Sequence, residues 1–126
     1  MAPGAHIVSV VLEPQPQSAR LARDIVLDAF PESQVRDSIE LIASELVTNA
    51  IVHGIGPITF SLEDHRESVT ISVSNEISES PISLTATMPG IDSETGRGLA
   101  LVELLSQSWS YSVENSVLTV SAIVAK

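Results

Sequence analysis

The sequence has no cysteine, few aromatic residues and few basic residues. Among its 126 residues are one Trp, one Tyr and two Phe, and six Lys and Arg stand against sixteen Asp and Glu, which gives a net charge of −10. Without cysteine the chain can form neither a disulfide nor a thiolate metal site, which is compatible with a reducing cytosol. Because nucleic acids and anionic membranes are bound by clustered Lys and Arg, the charge argues against both as partners. An acidic protein instead attracts a basic patch on a partner protein.

Long hydrophobic runs are also absent. No apolar segment approaches the roughly 18 residues that would span a bilayer, and the first six residues lack the basic and apolar regions of a signal peptide. We therefore expect a cytoplasmic protein. The length and the hydrophobic fraction of 44% fit one globular domain, residues 1–126, with a mostly aliphatic core.

Alternation and helical periodicity predict five strands and three helices. Strands are expected over residues 7–12, 58–62, 69–74, 109–114 and 117–124, and helices over residues 18–30, 33–52 and 99–107. The order β-α-α-β-β-α-β-β favours an α/β two-layer sandwich, in which three helices cover one face of a mixed, mostly antiparallel sheet. The other face of the sheet would then be free for a partner.

Several details of this framework depend on single residues. Ser18 is expected to cap the first helix and Pro31 to stop it, whereas Gly54 and Gly56 are expected to end the second helix. The last hairpin should turn near residues 115–116. The buried faces of the first and third helices are predicted to consist of Leu21, Ala22, Ile25, Val26, Ala29 and Phe30, and of Leu101, Val102, Leu104 and Leu105, respectively.

A stripe of polar residues runs along the second helix. Glu45, Asn49 and His53 recur at every fourth position, so they lie in a row beside an apolar arc. A carboxylate and a carboxamide oxygen one turn apart suit a hard cation such as Mg²⁺, or one metal ligand and one general base. The same spacing is typical of a solvated helix edge, and the stripe alone does not separate these interpretations. The apolar arc consists of Ile39, Ile42, Ala43, Leu46, Val47, Ala50 and Ile51.

Glycines stand where the third helix is expected to begin. They follow residues 75–95, which show no sustained period and predict a long loop that is either a functional lid or disordered. Gly96 and Gly98 flank Arg97, and glycines at a helix start let an anion approach the backbone amides. Arg97 is the only basic residue between Arg66 and the C-terminal lysine, so a bound triphosphate would also need backbone amides and a metal ion. Alternatively, the glycines only shape a tight loop-to-helix junction, since no P-loop sequence is present.

Together the two segments resemble a known family. The sequence ELVTNAIVHG, residues 45–54, is similar to the N box of the GHKL (Bergerat-fold) ATPases and kinases. The sequence ETGRGLALVELLSQSW, residues 94–109, is similar to their glycine-rich box in the form found in short bacterial anti-sigma-factor serine/threonine kinases. A long lid separates the two boxes as in the family, and the resemblance extends from about residue 18 to the C-terminus.

The resemblance implies a role for each matching residue. Asn49 would coordinate the Mg²⁺ that bridges the phosphates of ATP, and Glu45 would be the general base that takes the proton from a substrate Ser or Thr hydroxyl. His53 would lie near the ribose or the phosphates, or would only act as a cation suited to the helix C-terminus. The segment that would bind the phosphates as the lid closes consists of Thr95, Gly96, Arg97, Gly98 and Leu99.

One residue departs from the family's pattern. After the third strand the family places an Asp whose carboxylate accepts a hydrogen bond from the adenine amino group, often with glycines following. Here the matching residue is Asn75, and no such glycines follow. The Asn oxygen can still accept that hydrogen bond, but without the charge its contribution falls by about 1 kcal/mol. The carboxamide could instead donate to a ring nitrogen, which would relax adenine selectivity.

The family resemblance implies a function and an alternative to it. The function is that of an ATP-binding anti-sigma-factor-type serine/threonine kinase, a homodimer that holds a sigma factor and phosphorylates a STAS-type antagonist in a partner-switching circuit. The alternative is a degenerate member that binds nucleotide weakly or not at all and acts as a protein-interaction module, which Asn75 and the acidic lid favour. A stand-alone histidine kinase is not expected, because no paired dimerisation helices precede the domain.

Overall fold

The computed structural model describes residues 6–30, 35–77 and 94–126. Its helices are α1 (Gln17–Ala29), α2 (Arg36–His53) and α3 (Glu94–Leu105), and its strands are β1 (His6–Leu12), β2 (Gly54–Asp64), β3 (Ser68–Ile77), β4 (Ser108–Glu114) and β5 (Val117–Ala125). The order of these elements is the one predicted from the sequence. Within the described ranges no helix is long and apolar enough to cross a membrane.

The five strands form one sheet in the order β1-β2-β3-β5-β4. The sequence predicted a mixed, mostly antiparallel sheet, but each neighbouring pair of described strands is antiparallel, so the sheet is not mixed within the described residues. The α/β fold with its helices on a five-stranded sheet is therefore confirmed. The β2–β3 hairpin turns between the two predicted strands, and the backbone N–H of His65 donates to the carbonyl oxygen of Ser68 at 2.8 Å to close it. The sheet has β1 at one edge and β4 at the other.

The core lies between the helices and one face of the sheet. α2 packs across β2, β3 and β5, and α1 and α3 both pack against α2. The apolar arc of α2 is buried from Ile39 to Ala50, and Ile51 is partly buried, as its periodicity predicts. Burial of one aliphatic side chain contributes roughly 1.5–3 kcal/mol, so this arc fixes the position of the polar stripe beside it. The strand residues buried beneath α2 are Ile58, Phe60, Leu62, Val69, Ile71, Val73, Leu118, Val120, Ala122 and Val124.

The opposite face of the sheet carries small hydroxyl side chains. A row of serines crosses all five strands at paired positions, in the order Ser9, Ser61, Ser72, Ser121 and Ser110. The hydroxyl oxygens of Ser9 and Ser61 are 3.1 Å apart, and those of Ser72 and Ser121 are 3.0 Å apart. These two contacts link β1 to β2 and β3 to β5 by side chains as well as by their backbones.

The start of α1 differs from its prediction. The helix begins at Gln17, so Ser18 lies inside its first turn and does not cap it. The buried Ser18 hydroxyl donates to the carbonyl oxygen of Glu13 at 2.5 Å. This hydrogen bond connects α1 to the residue that follows β1. The predicted stop is confirmed, because α1 ends at Ala29, shortly before Pro31.

The buried faces of α1 and α3 are narrower than their sequences predicted. Leu21 is 49% exposed, Leu104 is 78% exposed, and Ala29 and Leu101 are also exposed. These helices pack mainly against α2 rather than across the sheet, so only a strip of each is covered. The predicted core residues that are buried on them are Ala22, Val26, Phe30 and Val102, while Ile25 and Leu105 are partly buried.

The two glycines after α2 have different roles. Gly54 follows the last helical residue with an extended backbone (φ −105°, ψ −178°), so β2 begins there directly and the predicted helix end is confirmed. Gly56 does not end the helix. It has φ +74° inside β2, at an irregularity in the pairing with β3 between Ile55 and Thr59. A positive φ favours glycine, and such irregularities in strand pairing frequently contain one.

The start of α3 and the end of β3 differ from the predicted boundaries. α3 begins at Glu94 and not at Leu99, so the predicted glycine-rich helix start lies within its first turns. β3 extends to Ile77, and residues 78–93 of the predicted loop lie outside the described residues. The β4–β5 hairpin turns through Asn115 and Ser116, at φ 54° and 66°, which is the position predicted from the sequence.

Candidate functional site

A cavity lies where the C-terminal end of α2 meets β3 and β5. Its polar residues are Asn49 and His53 from α2 and Asn75 from β3. Because β3 pairs with β5, the residues of these two strands that line the cavity lie side by side. The remaining residues that line it are Leu46, Ala50, Gly54, Val73, Leu118 and Val120.

Two polar atoms at this cavity are buried without a partner. Nδ2 of Asn49 and Nε2 of His53 are inaccessible to water, and neither has a hydrogen-bond partner in the described part of the chain. The whole Asn49 residue is only 7% exposed. An unpaired buried polar group costs about 1–3 kcal/mol, and native structures contain few of them. The two atoms therefore indicate a place where a bound molecule would supply the missing partners.

The third polar residue, Asn75, is held against the end of α2. It is 6% exposed, and its Nδ2 donates to the carbonyl oxygen of Ala50 at 3.1 Å. The same carbonyl oxygen accepts a hydrogen bond from the backbone N–H of Gly54. A Cβ atom at Gly54 would overlap the Asn75 carboxamide, so the close approach requires glycine. Because the helix engages the amide nitrogen, Oδ1 of Asn75 is the atom that remains to accept a hydrogen bond from a ligand.

The size of the cavity limits what can enter it in this state. Its concave space, including the open mouth, is about 360 Å³. Only about 20 Å³ of this is open to the centres of water molecules, which is room for one or two waters. A nucleobase therefore requires its walls to separate.

The remaining predicted site residues lie on α2 and α3. Glu45 is one turn before Asn49 on α2, is partly buried, and is not among the lining residues. The segment from Thr95 to Leu99 lies in the first two turns of α3, which packs against α2. Its side chains are outside the described part of the structure. The roles of Glu45 and of this segment remain predictions.

The family comparison covers all the elements that bear the predicted site. The family model described as the histidine kinase-like ATPase domain matches residues 12–123. The chain belongs to this histidine kinase-like ATPase domain family. The match confirms the GHKL group indicated by the two sequence boxes, while no curated protein matches the chain significantly.

Solved structures of the histidine kinase-like ATPase fold resemble the chain over nearly its whole length. The catalytic domain of the histidine kinase ThkA, in a nucleotide-free form, has a TM-score of 0.59 at 17% identity, covering 96% of each chain. The Acinetobacter baumannii histidine kinase AdeS has a TM-score of 0.59 at 14% identity, covering 95% of this chain and 68% of that one. At these identities the likeness establishes the fold alone.

Domains of the histidine kinase-like ATPase family bind ATP, typically with Mg²⁺, and the cavity residues fit that pair of ligands. Among the described residues no three His, Cys, Asp or Glu side chains cluster as a metal site. Mg²⁺ does not need such a cluster, because it keeps several waters and takes other ligands from phosphates. Asn49 lines the cavity, and its carboxamide carries an oxygen of the kind that Mg²⁺ accepts as a ligand.

Sequence reasoning missed the residues that shape the site rather than contact a ligand. It treated Gly54 only as a helix end, and it did not anticipate that the Ala50 carbonyl would bind Asn75. Both contacts depend on how β3 packs against α2, a long-range arrangement that local periodicity does not encode. The available signal was the glycine immediately after His53, at the point where α2 gives way to β2.

Proposed function

We propose that this chain binds ATP with Mg²⁺ in the cavity at the end of α2, and that it is a serine/threonine protein kinase of the anti-sigma-factor type. The observation that supports nucleotide binding most directly is the pair of buried atoms, Asn49 Nδ2 and His53 Nε2, which share one cavity without partners in the described chain. Polar oxygens of a nucleotide would satisfy them. Family membership over residues 12–123 supports the identity of the ligand.

Each residue has a defined role in this proposal. Oδ1 of Asn75 accepts a hydrogen bond from the adenine amino group, and the Asn49 carboxamide provides an oxygen ligand for Mg²⁺, which neutralises phosphate charge when bound. Glu45 takes the proton from the substrate Ser or Thr hydroxyl as the hydroxyl oxygen forms its bond to the γ-phosphorus and the bond to ADP breaks. Such a transfer depends mostly on positioning and charge neutralisation, which suits a site built on a rigid, buried helix.

The proposed partners are a STAS-type antagonist as phosphoacceptor and a sigma factor as the protein that is held or released. Support comes from the resemblance of residues 94–109 to the glycine-rich box of the short anti-sigma-factor kinases. The compartment proposed is the cytoplasm, and the proposed assembly is a homodimer.

A second candidate function is a non-catalytic interaction module that senses nucleotide weakly. One observation favours it: Glu45 does not line the cavity. The neutral Asn75 side chain also lacks the charge that strengthens a hydrogen bond to adenine.

Nucleotide binding is tested by calorimetric titration with ATP and Mg²⁺. We expect a dissociation constant below about 100 μM for the wild type, and a loss of at least about tenfold for Asn49→Ala. Thr48→Ala is the matched control, because Thr48 is the exposed neighbour of Asn49 on the same helix and should leave binding unchanged. Absence of heat at millimolar ATP would contradict both nucleotide binding and the kinase proposal.

Phosphoryl transfer is tested by incubating the protein with Mg-ATP and a STAS-domain protein. We expect Glu45→Ala to reduce transfer by about 100-fold or more, since a positioned general base typically contributes a factor of this size. Glu40→Ala removes another partly buried carboxylate of α2 and should transfer phosphate normally. If Glu45→Ala transfers as well as the wild type, Glu45 is not the base; if the wild type binds ATP but never transfers phosphate, the interaction module is the correct function.

A further inference from the structure

A groove separates α1 from the sheet at the β1 edge, away from the cavity at the end of α2. Its volume is about 450 Å³, which lies within the range of pockets that bind ligands. It is mostly apolar and contains two carboxylates, one on each side. The residues that line it are Val8, Val10, Ile25, Asp28, Ala29, Phe30, Leu62 and Asp64.

The groove exists because α1 packs mainly against α2 and leaves part of the sheet uncovered. The sequence predicted that Ile25 and Ala29 would be in the core, yet both line the open groove, and Leu21 continues their row one turn earlier at 49% exposure. An amphipathic helix face that the described residues leave uncovered is available to another molecule.

The strand beside the groove has an open backbone edge. β1 is the first strand of the sheet, so no strand of the described chain pairs with its outer side. Edge strands are usually protected by charged residues or proline, and the β1 sequence HIVSVVL contains neither Lys, Arg, Asp, Glu nor Pro. Val8 and Val10 point into the groove, whereas Ile7 and Val11 are 58% and 67% exposed on the other face.

Charge determines which kind of chain would fit. Asp28 is exposed on α1 and has no ion pair within the described residues, while Asp64 on β2 is paired with the Lys126 ammonium group at 2.5 Å. Together with the net charge of −10, the exposed Asp28 carboxylate favours a basic segment as the occupant of this groove.

We propose that this groove and the β1 edge together bind an extended segment of a basic partner protein as an additional strand of the sheet. Backbone hydrogen bonds form along the outer edge of β1, alternate apolar side chains of the segment enter the groove, and a Lys or Arg on the same face approaches Asp28. Such strand addition takes its affinity from the backbone and its specificity from alternate side chains. The site is separate from the cavity of Asn49 and does not depend on nucleotide binding.

The test uses a synthetic probe because the partner is not identified. The probe is a fluorescently labelled peptide of sequence Lys-Thr-Val-Thr-Val-Thr-Lys, in which both Val and both Lys lie on one face of a strand. One control peptide has Glu in place of both Lys, and another carries N-methyl groups on the amides that would pair with β1. By fluorescence anisotropy with the full chain, we expect the probe to bind at least about tenfold more tightly than either control.

Protein variants locate the binding site. Asp28→Lys should weaken binding of the probe by about tenfold, and Asp24→Lys, which changes the same charge one turn away and outside the groove, should change it less than about twofold. Hydrogen exchange should show that probe binding protects backbone amides of β1.

Three outcomes would overturn the proposal. Equal affinity for the N-methylated peptide would show that the β1 edge is not used, and an unaltered affinity of Asp28→Lys would show that the probe binds elsewhere. If sedimentation shows a homodimer that dissociates as the probe binds, a second copy of the chain occupies the groove. Each of these measurements is made without nucleotide in the solution.

Discussion

At the scale of single residues, the identity of Asn75 controls both the shape of the cavity and its chemistry. Its Nδ2 donates to the carbonyl oxygen of Ala50, which is possible for a carboxamide and impossible for an ionised carboxylate. Gly54 provides the space for this contact. Asn in place of the family's Asp therefore has two effects. It removes a negative charge, and it adds a hydrogen bond to the end of α2.

Asn75→Asp is the variant that separates these two effects. From the family pattern alone, Asp would be expected to tighten adenine binding. In this structure, however, Nδ2 of Asn75 donates to the Ala50 carbonyl oxygen at 3.1 Å, and Asp would place a carboxylate oxygen beside that carbonyl oxygen instead. We expect the free energy of unfolding to fall by about 1–3 kcal/mol, the usual cost of an unsatisfied buried acceptor. Urea titration measures this change. Asn115→Asp, the same substitution at an exposed turn, is the control and should have little effect.

At the scale of secondary-structure elements, the β4–β5 turn places a serine where glycine is preferred. Ser116 has φ 66°, and two-residue hairpin turns with positive φ at both central positions favour Asn-Gly. We expect Ser116→Gly to raise the free energy of unfolding by about 0.5–1 kcal/mol, because it removes the cost of a left-handed backbone for a residue with a Cβ. Thermal unfolding measures the gain, and a lower melting temperature would contradict the expectation.

The narrow buried strip of α3 gives a second prediction at this scale. Val102 is fully buried and Leu104 is 78% exposed, although the sequence placed both in the core. We expect Val102→Ala to cost about 2 kcal/mol of stability and Leu104→Ala to remain within about 0.5 kcal/mol of the wild type. The two truncations serve as controls for each other in one chemical denaturation series. Similar losses for both would show that the face predicted from the sequence is the buried one.

The sequence predicts the buried residues correctly for elements that bury one whole face, and less well for helices that are buried only along a narrow strip. The alternation in β2, β3 and β5 and the wide arc of α2 correctly predicted the core, because each of these elements buries one whole face against the helix or sheet opposite. α1 and α3 contact mainly one neighbour, so their apolar residues exceed what that contact covers. The site shows the same division: Asn49 and His53 follow from spacing along one helix, whereas the contact of Asn75 with Ala50 joins residues that are distant in sequence.

At the scale of the whole molecule, the excess of acidic residues opposes compaction. The chain has ten more carboxylates than basic side chains, and this excess of negative charge is self-repulsive. Dissolved salt screens the repulsion. We expect the melting temperature to rise between low ionic strength and about 0.5 M NaCl, where the Debye length is only a few ångströms. Scanning calorimetry measures this change, and a melting temperature that fell with added NaCl would contradict it. The chloride salt is the suitable choice because sulfate would also strengthen hydrophobic burial.

The C-terminal residue has a chemical consequence of its own. Lys126 is the sole lysine of the sequence, its ammonium group is paired with Asp64 and its backbone N–H donates to Glu67, so it joins the end of β5 to the β2–β3 hairpin. Acylating reagents would therefore find one lysine target in this chain, and their action there would release the Asp64 carboxylate beside the groove. Modification of this single amine would remove one positive charge next to the groove and leave a carboxylate of its lining without a counter-ion.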